Sequence, residues 1–136
     1  MKDRLLRERC LRLKLILTDV DGVMTDGSIF ILPDGEEARV FNVRDGYGVI
    51  LAHAAGLETG IITGRASNTV TQRARSLGMS VVKQGSMDKS RAFDEILAEK
   101  SLQAHEVAYI GDDYPDLPVL QRVGLSAVPQ DAPMAL

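Results

Sequence analysis

The sequence predicts an α/β fold, a doubly wound and mainly parallel, Rossmann-like sheet with a protruding β-hairpin and no large cap domain. Three observations lead there. Short apolar runs alternate with amphipathic stretches, as strands alternate with helices in a parallel sheet. Two of those runs, LILT at 15–18 and VAYI at 107–110, are followed within two residues by aspartates. Pro33-Asp34-Gly35 separates two further apolar segments with turn chemistry that suits a hairpin.

The opening MKDRLLRERCLRLKLIL is basic and contains leucines. Charges interrupt it, and no unbroken apolar stretch precedes a small-residue cleavage site, so it reads as a short surface helix rather than a targeting segment. Residues 15–18 form the first buried strand. Residues 28–32 and 37–43 are expected as the two strands of the hairpin, inserted at about 28–43. Residues 45–55 read as a helix stopped near Gly56, and 58–62 as the second core strand.

Residues 66–77 read as a helix with Gly78 as its stop, and 80–83 as a short strand. Residues 87–100 carry Phe93, Ile96 and Leu97 at helical spacing. The run at 107–110, a short helix and a last strand at 125–128 complete a single domain over 1–136. No repeat, low-complexity tract or long linker interrupts it.

The 136 residues carry a net charge of -3, which argues against wholesale nucleic-acid binding, for which a basic stripe is expected. A hydrophobic content of 45% suffices for a packed core, yet no run approaches the roughly 18 apolar residues of a membrane span. The one cysteine, Cys10, permits no internal disulfide and too few thiolates for a cysteine metal cluster. A reducing cytoplasm is the expected location.

Open sheets of this type bind ligands beyond the carboxyl ends of their strands. The polar residues closing the apolar runs therefore converge: Asp19 and Asp21 after the first strand, Thr63-Gly64-Arg65 after the second, Asp112-Asp113 after the fourth. Lys89 lies on the helix following the third. Clustered carboxylates repel one another unless a cation neutralises them. A hard divalent ion is implied, and magnesium commonly accompanies phosphate substrates.

Asp19 is then placed to act as a nucleophile on phosphorus and Asp21 as general acid and base. Gly22 lets the backbone pack close to a phosphoryl group. Backbone N–H groups, the Thr63 hydroxyl and the Lys89 ammonium supply donors to its oxygens. A lone Asp-x-Asp, a lone Gly-Asp-Asp and a lone lysine each have ordinary structural explanations, as a strand end or a solvated side chain. Their joint order carries the reading.

In that order, "DVDGVMTDG", "ITGR", Lys89 and "GDDYPD" resemble the four motifs of the haloacid dehalogenase superfamily of aspartate-nucleophile phosphatases. More narrowly, "DVDGVMTDG", "FNVRDGYG", "IITGR" and "VAYIGDDYPDLPVL" are similar to 3-deoxy-D-manno-octulosonate 8-phosphate phosphatases, over residues 15–128. The resemblance implies Asp19 as nucleophile and Asp21 as acid/base. It implies magnesium held by Asp19, the Asp21 main-chain carbonyl and Asp112, with Asp113 and Asp116 supporting the metal site and Thr63 and Lys89 holding the phosphoryl group. It implies substrate contacts from Asn42, Arg44, Asp45, Gly46, Gly64, Arg65 and Arg73, the arginines pairing with a sugar-acid carboxylate.

The stretch from Asp21 to Thr63 is consumed by the hairpin and one helix, and that from Thr63 to Lys89 by one helix and one strand. No room remains for a lid. The hairpin, with Ile29, Phe30, Ile31, Val40 and Phe41, is the candidate cover; it packs either on its own domain or on neighbouring subunits. The resemblance implies a homotetramer in which hairpins meet. By the same resemblance, family members continue past the 125–128 strand with a further strand and a glycine-containing tail; here the sequence reads VPQDAPMAL, and those elements are expected to be absent.

The expected reaction is magnesium-dependent release of phosphate from a sugar-acid phosphate, feeding lipopolysaccharide precursor synthesis. The nearest rivals are an N-acylneuraminate 9-phosphate phosphatase and a non-catalytic oligomerisation domain of this family. A phosphorylation-signalling receiver also uses aspartates, a threonine and a lysine, but there an acidic pair precedes the lone phosphoacceptor. Here Asp-x-Asp comes first and Asp112-Asp113 last.

Overall fold

The computed structural model describes residues 2–136. Strand β1 (Leu15–Thr18) occupies the centre of a five-stranded parallel sheet in the order β5-β4-β1-β6-β7, with β4 at Glu58–Ile62, β5 at Val81–Lys83, β6 at Val107–Ile110 and β7 at Leu125–Ala127. Leu15 pairs with Glu58 on one side and Val107 on the other, so β4 and β6 depart in opposite directions from β1. That is a topological switch point, and the loops beyond β1 and β6 open a crevice there.

Leu15, Leu17, Val107 and Tyr109 are wholly buried on one face of the sheet, where they meet Phe93 and Ile96 of α4 (Lys89–Lys100) and Val119 of α5 (Leu117–Leu120). Ile61, Val20 and Met24 pack on the other face with Val70 and Ala74 of α3 (Asn68–Ser76). The alternation follows from the two-residue period of a strand. Beside α2 (Val43–Ala54) this second face also borders an open pocket of about 420 Å³ lined by Ile16, Thr59 and Ile110.

Helix α1 (Lys2–Arg12) is exposed along its described length, as expected of a surface helix. Between β1 and β4 lie only the hairpin and α2, and between β4 and α4 only α3 and β5, so no cap is inserted at either place.

The hairpin is present but shorter than expected. Its strands are β2 (Phe30–Ile31) and β3 (Glu37–Ala38), paired antiparallel. Gly35, at φ +86°, makes the tight turn, while Asp34 Oδ1 accepts from Glu36 N at 3.0 Å. The ladder stops after Ala38, where Arg39 turns its side chain into the protein. Phe41 then packs against the α3-side core, and Asn42 starts a helix instead of continuing a strand. Its side chain accepts from Arg44 N at 2.8 Å, so α2 begins at Val43, two residues before the expected start.

The starts of α3 and α4 each move by two residues for the same reason. Ser67 caps α3 and Asp88 caps α4, which places their starts after the expected 66 and 87. Gly78, at φ +70°, follows α3 as its stop.

Candidate active site

Asp19 follows β1 directly and is 8% exposed. Its Oδ1 accepts from Val20 N at 2.7 Å, and its backbone N–H is held by the Ile110 carbonyl at 2.9 Å, so main chain fixes it on both sides. Burial raises its carboxyl above the usual range, opposed by the ammonium of Lys89.

Lys89 is the first residue of α4 and is 5% exposed. Its Nζ lies 3.1 Å from Asp19 Oδ2 and 2.6 Å from Asp116 Oδ1. Asp116 is fully buried. Oδ1 also accepts from the Tyr109 hydroxyl at 2.6 Å, while Oδ2 accepts from Asp112 N at 3.0 Å and Asp113 N at 3.2 Å. A carboxylate has about four acceptor sites, so these four donors leave Asp116 little capacity to bind a metal directly.

Asp112 is half-buried, and its carboxyl is pushed up to about 7, first by burial and then by the charges of Asp19 and Asp116. One oxygen from each of these three aspartates lies within 4.8 Å of the others. Three carboxylates against one ammonium leave an excess of negative charge. A hard divalent cation fits this donor set, since it would offset the burial and the repulsion that push the Asp112 carboxyl up. Asp19 and Asp112 are the carboxylates with capacity to take it.

Gly22 explains how the two acidic motifs come so near. It sits at φ +89°, and a Cβ there would collide with the Asp112 carboxylate.

A cleft of about 250 Å³ opens over Asp19, Asp21, Thr63, Lys89 and Asp112 and is also lined by Gly64 and Arg65. Thr63 is buried, with its N–H on the Lys83 carbonyl at 2.9 Å. Asp113 lines the same cleft but is exposed, and its Oδ1 accepts from Tyr114 N at 2.8 Å. It stands outside the group of three carboxylates, in contrast to Asp116, which anchors both Lys89 and the loop of Asp112.

Five expected substrate contacts do not line this cleft within the chain. Asn42 caps α2, and its carbonyl accepts from Arg73 Nη2 at 3.3 Å. The Arg73 guanidinium lies 5.4 Å from the centre of the Phe41 ring and backs onto Gly46, where a Cβ would push it aside. Arg44 and Asp45 line the 420 Å³ pocket by α2. The start of α2 packs on α3 here, and that packing uses Asn42, Gly46 and Arg73 structurally.

Sequence reasoning missed Arg39, Glu37 and Tyr109. Arg39 has no exposed side-chain surface and grips Asp21 through Nε at 2.6 Å and Nη2 at 3.3 Å. Its Nη2 also meets Glu37 Oε2 at 2.8 Å, and Glu37 Oε1 meets Arg65 Nη1 at 2.8 Å. A signal was present: Glu37, Arg39 and Phe41 share one face at a spacing of two, and that face turns inward.

No protein-family model matches the chain. The 3-deoxy-D-manno-octulosonate 8-phosphate phosphatase of Yersinia pestis is 45% identical over 125 residues, covering 92% of this chain and 67% of that relative. A haloacid dehalogenase superfamily (subfamily III A) hydrolase from Legionella pneumophila superposes with a TM-score of 0.93 at 37% identity, covering 98% of this chain and 74% of that one. The chain belongs to the haloacid dehalogenase superfamily of phosphatases. Within it, the chain stands close to the 3-deoxy-D-manno-octulosonate 8-phosphate phosphatases. The Moraxella catarrhalis enzyme of that name, solved with magnesium, phosphate and the eight-carbon sugar acid, superposes with a TM-score of 0.92 at 33% identity, covering 98% of this chain and 76% of that one. The chain spans about two thirds of the length of the curated relatives it matches.

Proposed function

We propose that the chain is a phosphoric monoester hydrolase that releases phosphate from 3-deoxy-D-manno-octulosonate 8-phosphate with magnesium, supplying the free sugar acid for lipopolysaccharide assembly. The observation that carries this is the meeting of Asp19, Lys89 and Asp112 at the switch point of the sheet. The ligands of the Moraxella catarrhalis relative support the metal and the substrate class.

In the first step an Asp19 oxygen attacks phosphorus, the bond from phosphorus to the sugar oxygen breaks, and the departing oxygen takes a proton from Asp21. In the second, water attacks the phosphorus of the aspartyl-phosphate and gives a proton to the Asp21 carboxylate; the bond from phosphorus to the Asp19 oxygen breaks, freeing the Asp19 carboxylate and inorganic phosphate. Lys89 and Thr63 hold phosphoryl oxygens, and Gly64 lies beside them. Asp19, the Asp21 carbonyl and Asp112 are the proposed magnesium ligands, supported by Asp113 and Asp116. When bound, the ion neutralises phosphoryl charge and lets an anionic nucleophile approach an anionic ester.

Arg65 is the one proposed carboxylate-binding arginine that lines the cleft of this chain. Asn42, Arg44, Asp45, Gly46 and Arg73 would serve substrate only in an assembly that brings them to another copy's cleft. The exposed Phe30, Ile31, Leu32 and Val40 favour a homotetramer through the hairpin, in place of packing on its own domain. Among the described residues no helix is long and apolar enough to cross a membrane. We place the reaction in the cytoplasm, the compartment expected from the single cysteine.

The test is phosphate release from the eight-carbon ester by the wild-type chain and by Asp19→Asn, with N-acylneuraminate 9-phosphate as competitor. Release that needs Asp19 and favours the eight-carbon ester is expected. No release from folded, magnesium-loaded protein would overturn the assignment. Sedimentation of wild type against Ile31→Lys tests the tetramer, which the charge should dissociate.

A further inference from the structure

Arg39 follows the hairpin as a buried charge. Its guanidinium is entirely buried, yet it lies just past the end of a ladder of only two residue pairs. One nitrogen, Nη1, is buried with no hydrogen-bond partner in the chain. Burying an ion pair seldom stabilises a protein more than apolar side chains of the same volume would. What a planar guanidinium adds is direction, because its fork fixes the plane of the carboxylate it grips.

That carboxylate is Asp21. Nε reaches Oδ1 at 2.6 Å and Nη2 reaches Oδ2 at 3.3 Å, so both oxygens are engaged. Arg39 is itself steadied: Nη2 also meets Glu37 Oε2 at 2.8 Å, and the Glu37 backbone carbonyl accepts from Thr69 Oγ1 on α3 at 2.8 Å. The other Glu37 oxygen holds Arg65, which lines the cleft. A continuous chain of ion pairs thus runs from Asp21 through the hairpin to the loop after β4.

We infer that Arg39 is the positioning residue for Asp21, and that the hairpin is thereby part of the catalytic apparatus of its own chain. This rests on the functional reading above. Each Asp21 oxygen accepts from Arg39 and keeps a further acceptor site. When Asp21 carries its proton, one oxygen still accepts from Arg39 while the other presents O–H to the departing sugar oxygen. When Asp21 is a carboxylate, the same clasp aims it at the attacking water. Arg39 exchanges no proton and touches neither phosphorus nor the sugar.

A misaimed acid matters most where the departing oxygen is poor at carrying charge. The sugar ester leaves as an alkoxide and needs the proton, whereas 4-nitrophenolate leaves as a stable anion. The experiment compares kcat/KM of the full chain, saturated with magnesium, on 3-deoxy-D-manno-octulosonate 8-phosphate and on 4-nitrophenyl phosphate. This constant covers events through formation of the aspartyl-phosphate. Arg39→Met is expected to lose on the order of 100-fold on the sugar ester, the scale of a misplaced catalytic group, and less than about threefold on the aryl ester. Asp21→Asn is expected to show the same selectivity more strongly.

Arg39→Gln, which keeps one N–H for Asp21 and the polar character of the hairpin, provides a second variant should the methionine variant unfold. For either folded variant, equal losses on the two esters would make Arg39 merely structural and overturn the inference, as would wild-type values on both. The functional reading stands in those cases if Asp19→Asn is inactive and Asp21→Asn is selective. No sugar-ester hydrolysis by the wild-type chain would overturn both.

Discussion

Lys89 and Asp19 face one another with Nζ 3.1 Å from Oδ2, although one begins α4 and the other follows β1. The ammonium serves two buried carboxylates, since Asp116 lies 2.6 Å away on its other side. Lys89→Met would leave both without their cation. Breaking a buried ionic pair from one side costs about 3 to 5 kcal/mol. We expect a loss of that size in chemical denaturation without metal, partly recovered by magnesium, and a fall in phosphate release of at least about 100-fold, the scale of losing one transition-state donor. Unchanged stability would mean that the pair is not formed in solution.

Asp116 distributes its four hydrogen bonds between the chemistry and the frame. Tyr109→Phe removes one of them, the 2.6 Å bond from the phenol hydroxyl, whose own ionisation is pushed well above the ordinary phenol range by burial. A hydrogen bond to a charged group contributes about 1.5 to 3 kcal/mol. Loss of stability in that range is expected, with a smaller effect on turnover because Lys89 and the two backbone donors remain. Asp116→Asn is expected to be worse, since an amide has one acceptor oxygen for four donors. Equal behaviour of the two variants in denaturation would refute this ranking.

Asp19 and Asp112 were legible in the sequence because each follows an apolar strand, and strand ends of a doubly wound sheet share one crevice. Lys89 was legible only through its order relative to them. The roles of Arg39 and Tyr109 were hidden because each lies among apolar residues, and the carboxylates they serve, Asp21 and Asp116, lie in other elements or loops. Asn42 was misread as strand because Val40, Phe41 and Val43 are all β-prone, whereas its side chain caps a helix. The separation of Asn42, Gly46 and Arg73 from the cleft depends on how α2 packs against α3. No local pattern encodes that packing.

The raised carboxyls make magnesium binding depend on pH. Asp112 moves from 3.8 to about 7, and Asp19 moves in the same direction, both chiefly through burial. Between these values the metal-free native chain holds protons that the unfolded chain has released, so this contribution to stability is present at low pH and is lost as pH rises through about 7. Magnesium must displace the same protons. The thermal shift produced by magnesium should therefore be larger at about pH 8 than at about pH 6, with proton release on binding measurable by calorimetry in buffers of different ionisation enthalpy. A magnesium response independent of pH would contradict the placement of Asp112 at the metal.

Gly22 and Gly35 share a positive φ, at +89° and +86°, but differ in what surrounds them. An alanine methyl at 35 would meet nothing within 4 Å, whereas at 22 it would run into the Asp112 carboxylate. Both substitutions force a left-handed backbone on a residue with a Cβ, a cost of about 1 to 2 kcal/mol. Only Gly22→Ala also displaces Asp112, a short side chain that can escape by rotating away from Asp19. Magnesium affinity should fall by tenfold or more, on the order seen when a metal ligand is misoriented, while Gly35→Ala binds magnesium as the wild type does. Calorimetric titration of the two variants separates backbone strain from the geometry of the site. Equal affinities would mean that the approach of Gly22 to Asp112 has no part in holding the ion.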